Sequence, residues 1–354
     1  MTDDHHTENQ SVTAGRWRLR GETGRQLMGL LSSISRRLAA GRAIRAHKRS
    51  SAINPLQHYQ GYSDRDLEIL IKSVVYPGPS EPGFITDSLG VRTRVTATNV
   101  LHGRSGDTIG LPVPDDTYHA EAIEYIGLLK SVAAASGRYT ALELGAGWGP
   151  WLVAGAVTAR RAGLTDIRLY GVEGNHEHCV SMRRHFLDNG LDPDDHTILN
   201  AAIGAEGGTA RWLTGSAPSH ITWGMRPARQ GSEADASYLE SLGASGEDYR
   251  DIEVLSIVEL LQREAHWDLV HVDIQGWEAE VCRAGLALLS ERAKYVVVGT
   301  HSRKLDGDVL QLFWSAGWVL ENEKPTRFRF AADGRQLENM TEADGTQVWM
   351  NPTL

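Results

Sequence analysis

The sequence predicts an α/β fold: a doubly wound, mostly parallel sheet with helices on both faces, preceded by an N-terminal helical and mixed extension. Three observations predict it. From Gly137 onward, short apolar runs alternate with helix-length amphipathic stretches, and strands alternating with helices imply parallel strands joined by crossovers. The glycine-rich turn Gly145-Ala-Gly-Trp-Gly149 stands between the first strand and the first helix of that series. Hydrophobic residues at 41% and charged residues at 23% belong to a chain able to bury a core.

Three regions are expected among the 354 residues: 1–50, 51–136 and 137–354, the last with an insertion over about 204–265. Residues 16–49 carry ten Lys or Arg and one acid, Glu22, whereas residues 51–354 carry a net −15. Leu27, Leu30, Leu31, Ile34 and Leu38 approximate a helical spacing in the basic stretch. It therefore reads as a partly disordered or amphipathic extension, able to pack on its own acidic body or to touch an anionic membrane surface.

In chain order, residues 63–72 form a helix with Ser63 as N-cap and acids in the first turn. Residues 76–83, rich in Pro and Gly, are a loop. Residues 84–98 hold a short strand pair and 120–135 a helix. The regular series follows: strands 140–144, 167–172, 197–203, 269–273 and 295–299, with helices 151–161, 177–189, 278–289 and 309–316. Strands 318–323 and 347–350 close it. The insertion is rich in Gly, Ser and Ala and carries Trp212, His220, Trp223 and Arg226; loops of this length often bind or cover ligands.

Several function classes drop out. No run approaches the roughly 18 apolar residues of a membrane span. The acidic start Met1-Thr-Asp-Asp-His-His6 is unlike a secretory signal. Two cysteines, Cys179 and Cys282, are too few for a disulfide framework or a cysteine zinc site and suit the cytoplasm. A net charge of −9 argues against nucleic acid as the main partner.

The chemistry sits at the strand ends, where open α/β sheets bind ligands. The first reads Ala141-Leu-Glu-Leu-Gly-Ala-Gly-Trp-Gly-Pro150. Gly145 and Gly147 let backbone approach a ligand, and Pro150 suits a first helical turn. A dinucleotide loop would need Gly or Ala at position 150, and Glu143 would repel a pyrophosphate. The same acid suits a cation with an amino-acid tail, such as S-adenosylmethionine. Gly145, Ala146, Gly147 and Trp148 are the expected cradle. Glu173, at the second strand end, can accept hydrogen bonds from both ribose hydroxyls, with Asn175 beside it. Asn200 or Ala201, at the third, would border the adenine.

Glu143-Leu-Gly-Ala-Gly-Trp-Gly149, Val172-Glu-Gly-Asn175, Asn200-Ala-Ala-Ile-Gly204 and Val272-Asp-Ile-Gln-Gly-Trp-Glu278 together resemble the FkbM-type S-adenosylmethionine-dependent methyltransferases over residues 137–350. The family's late motif is typically D-V-E-G-A-E; here Gln275 replaces an acid and Trp277 a small residue, which suggests an altered substrate pocket. The resemblance implies a class I methyltransferase, Rossmann-like fold on a seven-stranded sheet. It also implies, most often, O-methylation of a hydroxyl on a sugar, glycan or natural product.

Asp273 and His301 end neighbouring strands and are the catalytic candidates. His301 would take the acceptor's proton, with a rate rising through a pKa near 6–7, and Asp273 would orient His301 or the acceptor. A divalent ion on His271, Asp273 and His301 would lack a paired second carboxylate, so no metal is expected. Trp148, Trp151 and Trp277 are aromatic candidates for packing adenine or a sugar face. The competing readings are N-methylation of an amine, a nucleotide-binding oxidoreductase and a non-catalytic protein on the same fold. The expected partner is a small-molecule or glycan acceptor, with self-association also open.

Overall fold

The computed structural model describes residues 41, 61–75, 78–213, 227–228, 249–330 and 340–354. The basic stretch 16–49 lies outside them apart from residue 41, as do His220, Trp223 and Arg226 of the insertion.

Helix α1 (Asp64–Ser73) starts where expected. The Ser63 hydroxyl accepts from Asp66 N, and the Asp66 carboxylate takes Ser63 N at 2.7 Å, a reciprocal cap that satisfies two orphan donors. Strands β1 (Phe84–Thr86) and β2 (Arg92–Arg94) pair antiparallel, and α2 (Ala122–Ala134) leads into the main sheet.

The series then runs β3 (Arg138–Leu144), α3 (Pro150–Arg161), β4 (Asp166–Val172), α4 (His176–Asp188), β5 (Thr197–Leu199), β6 (Ala202–Gly204), β7 (Gly208–Leu213) and β8 (Tyr249–Ser256). It continues with α5 (Ile257–Leu261), β9 (Trp267–Val272), α6 (Glu278–Arg292), β10 (Ala293–Thr300), α7 (Arg303–Ser315) and β11 (Val319–Lys324). The last strands are β12 (Arg327–Phe328), β13 (Thr341–Ala343) and β14 (Gly345–Met350).

Seven strands form the main sheet in the order β11-β14-β10-β9-β3-β4-β5. β14 runs antiparallel to both β10 and β11, and the β10-β9-β3-β4-β5 pairings are parallel. The order reverses at β3, the point where such sheets open a crevice beyond their carboxyl ends.

The two faces bury different halves of the alternating strand residues, as a period of two requires. Ala141, Leu269 and Val297 face a core with Leu67 and Leu70 of α1, Ile126 of α2, Leu152 of α3 and Met182 of α4. Leu142, Val270 and Val296 face a second core with Leu260 of α5, Val281 of α6 and Phe313 of α7. The segment between β1 and α2 has a small core of its own in Ile85, Leu101 and Ile109. Among the described residues no helix is long and apolar enough to cross a membrane.

One expected strand divides. Residues 197–203 give β5 at the edge of the main sheet and β6 in a separate sheet ordered β6-β8-β7. The break falls at Asn200, whose side-chain amide donates to the carbonyls of Glu173 and Gly174, both at 2.9 Å. The insertion thus holds β7, β8 and α5 as well as loop. The glycines, serines and alanines of its middle had masked the alternation of Tyr249–Ser256, whose outward residues are charged.

Candidate active site

A cavity of about 340 Å³ lies beyond the carboxyl ends of β3, β4 and β9. The glycine turn forms its floor: Gly145, Ala146, Gly147 and Trp148 all line it, with Pro150 and Trp151 from the start of α3. Gly145 N and Ala146 N both donate to Val172 O at 3.0 Å, bending the chain back over β4. Gly145 has φ +74°, and a Cβ there would stand 1.8 Å from the carbonyl oxygen of Asp273; backbone from two strand ends meets with no room for a side chain. Gly149, at φ +71°, is the N-cap of α3 and Pro150 follows it, as the sequence predicts.

Glu143 lines this cavity and is 2% exposed. Its Oε2 accepts Leu152 N at 3.0 Å, so the acid is anchored at the positive end of α3. Burial pushes its carboxyl well above the ordinary range, with the charges of Asp273 and Glu173 adding and the Leu152 and Trp151 amides opposing. Glu173 also lines the cavity; its Oε2 accepts Gly147 N at 2.8 Å and its Oε1 accepts Asn175 N at 2.7 Å. One acid therefore clamps the glycine turn to the end of β4. Each oxygen has a second lone pair to offer a diol, and His178 Nδ1 stands 3.5 Å from Oε1. Ala201 lines the cavity with Ala202 and Ile203, opposite the Trp212 ring.

Two cofactor candidates are placed elsewhere. Asn175 does not line the cavity: its side chain caps α4 by accepting Glu177 N at 2.9 Å. Asn200 is likewise absent from the lining and is spent on the Glu173 and Gly174 carbonyls. Both are short amides beside a helix start or strand break, where local backbone groups compete for them. His178 lines the cavity without having been expected there, and Trp212, from the insertion read as able to bind or cover a ligand, lines it too.

A second cavity, about 520 Å³, adjoins the first, and Val100, Tyr118, His119, Glu124, Asp273 and Asp344 border both. Asp273 and His301 do meet here, with His301 Nε2 at 3.1 Å from Asp273 Oδ1. The other ring nitrogen is also taken: His301 Nδ1 lies 2.9 Å from Glu278 Oε1. Burial works against the charged ring, but the hydrogen bonds and charges of Asp273 and Glu278 hold its pKa well above the ordinary histidine value. Both nitrogens of the expected base thus face carboxylates, which leaves no free lone pair, and the upward shift moves its titration away from the pH 6–7 limb assigned to it. Asp273 gains what His301 loses. Burial would raise its carboxyl, yet the His301 bond and charge bring it below the ordinary range, and Gln275 Nε2 donates to the same Oδ1 at 3.0 Å. Gln275 thereby supplies a donor where an acid would have repelled Asp273.

Glu278 was missed. It is fully buried, accepts Ile274 N at 3.1 Å and Gly276 N at 2.9 Å, and is the second carboxylate that the sequence did not reveal beside Asp273 and His301. The ligating atoms of Asp273, Glu278 and His301 lie within 4.8 Å of one another. His301 uses opposite nitrogens for its two acids, however, which makes the group a carboxylate–imidazole–carboxylate chain. Trp277, expected beside the ligand, packs instead into the far core with Val281 and Cys282.

Comparison with known proteins identifies the chain. A methyltransferase FkbM domain matches residues 152–320. A protein from Jannaschia sp. (strain CCS1), named provisionally as a methyltransferase, is 30% identical over 276 residues, 78% of this chain and 95% of the relative. The chain belongs to the FkbM methyltransferase family. Among solved structures it aligns with precorrin-6Y C5,15-methyltransferase from Geobacter metallireducens (10% identity, TM-score 0.35, 65% of this chain and 88% of that one). It also aligns with magnesium protoporphyrin IX methyltransferase from Synechocystis PCC 6803 with bound S-adenosylmethionine (10%, 0.34, 65% and 78%).

This FkbM protein is therefore an S-adenosylmethionine-dependent methyltransferase on a class I sheet, which displaces the oxidoreductase and non-catalytic readings. The residues present fit that cofactor. The cavity offers a diol acceptor in Glu173, a glycine floor, an apolar Ala201–Ile203 wall and acids suited to a sulfonium.

Proposed function

We propose that this methyltransferase O-methylates a hydroxyl of a sugar, glycan or natural product. The observation that carries the proposal is the second cavity: it opens onto the first, and Glu124, Asp273 and Asp344 border both. Carboxylates accept hydrogen bonds from hydroxyls with charge-assisted strength. Tyr118 adds an aromatic surface to the same wall, suited to the apolar face of a ring.

When bound, S-adenosylmethionine supplies an electrophilic methyl group. Glu173 and the turn Gly145–Trp148 would hold its nucleoside and tail. Asp273, fixed by His301 and Gln275 through Oδ1, keeps Oδ2 to orient the acceptor hydroxyl. Holding the acceptor in line is itself a large part of such catalysis.

The acid-rich wall favours a second reading, N-methylation of an amine, because a cation would neutralise it. A labelled-methyl screen across sugars, glycosides, hydroxylated natural products and amines separates the two, with the new linkage read by NMR. An O-methyl product on a hydroxylated acceptor is expected; transfer confined to amines would replace the proposal with its alternative. We also infer a cytoplasmic setting, in which the buried Cys179 and Cys282 remain thiols.

A further inference from the structure

The acceptor's proton needs a destination that His301 does not offer. Four histidines approach the two cavities. His178 borders only the first, with Nδ1 3.5 Å from Glu173 Oε1. His301 has both nitrogens on carboxylates. His271 is 4% exposed and finds no hydrogen-bond partner among the described residues, but it borders only the first cavity, beneath the Trp151 ring. His119 borders both.

His119 is also the one that is aimed. Its Nδ1 pairs with Asp116 Oδ2. Asp116 is 1% exposed, and its other oxygen accepts the amides of Tyr118, His119 and Ala120 at 2.9, 2.9 and 3.1 Å. Tyr125 Oη donates to Oδ2 at 2.9 Å. Burial alone would raise this carboxyl, but the bonds to His119 and the amides bring it to about 2. An ionised carboxylate can only accept, so Nδ1 carries the hydrogen and the neutral ring's lone pair is on Nε2. Among the described residues neither ring nitrogen makes a full hydrogen bond, but Nδ1 faces the Asp116 carboxylate, whereas no acid is paired with Nε2. The ring is fixed on its flank by Trp151, stacked at 5.4 Å and 28°, and by Trp148, also at 5.4 Å. The turn that presents it carries Thr117 at φ +69°, a conformation costly for a β-branched residue and kept where the surroundings impose it.

We propose, resting on the O-methylation reading, that His119 Nε2 is the general base of this enzyme and that Asp116 is its positioning residue. As the acceptor oxygen bonds to the methyl carbon, the carbon–sulfur bond breaks and the sulfur keeps the electron pair. The hydroxyl proton passes to Nε2, giving an imidazolium paired with Asp116, and then to water. A group oriented by a buried acid through its other nitrogen is the arrangement that base catalysis requires.

The test begins on the full chain with no acceptor. Nitrogen-15 NMR of the histidine rings should show His119 as the Nδ1–H tautomer. An Nε2–H tautomer overturns the proposal. With an acceptor from the methyl screen, His119→Ala should lower kcat by about 10²–10⁴-fold, keep S-adenosylhomocysteine affinity within about threefold and regain turnover with added imidazole. Activity within about threefold of wild type in a folded His119→Ala or His119→Gln variant, or a loss in His119→Ala that imidazole does not repair, also overturns it. A screen that finds only amine acceptors defeats the O-methylation reading, while the tautomer result still judges His119.

Discussion

The two cavities differ in how the chain builds them. The first cavity rests on contiguous turns: residues 145–148 supply the floor and Glu173 follows one βα unit later. The second is assembled from distant pieces, with residues between Asp115 and Glu124 before the sheet, Asp273 and His301 at strand ends, and Ala343–Thr346 near Met350. Hydrogen bonds at the first run largely from backbone to two acids, Glu173 and Glu143; at the second they run between side chains, Glu278 to His301 to Asp273. A short turn specifies its own shape, whereas a wall of converging side chains exists only once the sheet has closed. Substitutions at the first cavity should therefore act on cofactor affinity, and those at the second on turnover.

The largest expected effect breaks this contrast. Gly145→Ala places a Cβ against the Asp273 carbonyl, where the two ends touch. It should cost about 3 kcal/mol of stability and abolish binding of S-adenosylhomocysteine, read by denaturant melts and calorimetry. A stable variant with normal affinity would show that the contact is relieved cheaply.

Glu173→Ala sharpens the cofactor side. Losing both ribose hydrogen bonds should cost about 2–3 kcal/mol, roughly 30–150-fold in S-adenosylhomocysteine affinity. Titration calorimetry on the folded variant decides it, and unchanged affinity would remove the ribose role.

His301→Gln sharpens the acceptor side and carries a pH sign. The folded pKa of His301 is raised above the ordinary value, so its ionic contribution to stability is complete below about pH 6.5. It fades as pH rises through the folded value. The stability gap between wild type and variant should narrow from neutral to alkaline pH in urea titrations, with cofactor affinity unaltered. A gap that widens with pH would mean that the ring is neutral in the fold.

The smallest effect concerns neither cavity. Deleting residues 1–50 should leave S-adenosylhomocysteine affinity within about twofold, since the lining among the described residues lies downstream. We propose that the same deletion removes binding to anionic vesicles, with the wild-type binding fading in salt; equal vesicle binding by both chains would end the membrane proposal.

The same division explains what the sequence revealed. Period-two apolar runs announced β3, β4, β9 and β10, and the glycines announced the turn at 145–149, because those signals are local. Glu173 was legible as an acid at a strand end. His301 was legible as a neighbour of Asp273 but not as a proton holder, because its second partner, Glu278, sits in the first turn of α6 and looked like an ordinary acid favoring a helix start. Asp116 and His119 fall in a segment with no periodicity; the available signal was an acid three residues before a histidine, which also describes many plain turns. Asn175 and Asn200 misled for the opposite reason: their motif positions pointed to a ligand, while capping and a strand break claimed their side chains.

Trp212 carries one more consequence. Its ring lies so close to Gly174 that a Cβ there would stand 2.4 Å from it, and Gly174 adjoins Glu173. Trp212 belongs to β7, in the small sheet joined to the main one across Asn200. The inserted sheet thus packs directly against the turn that carries Glu173. If Glu173 holds the cofactor, a ligand that shifts this sheet and the cofactor would share a single coupling free energy, each changing the other's affinity by the same factor.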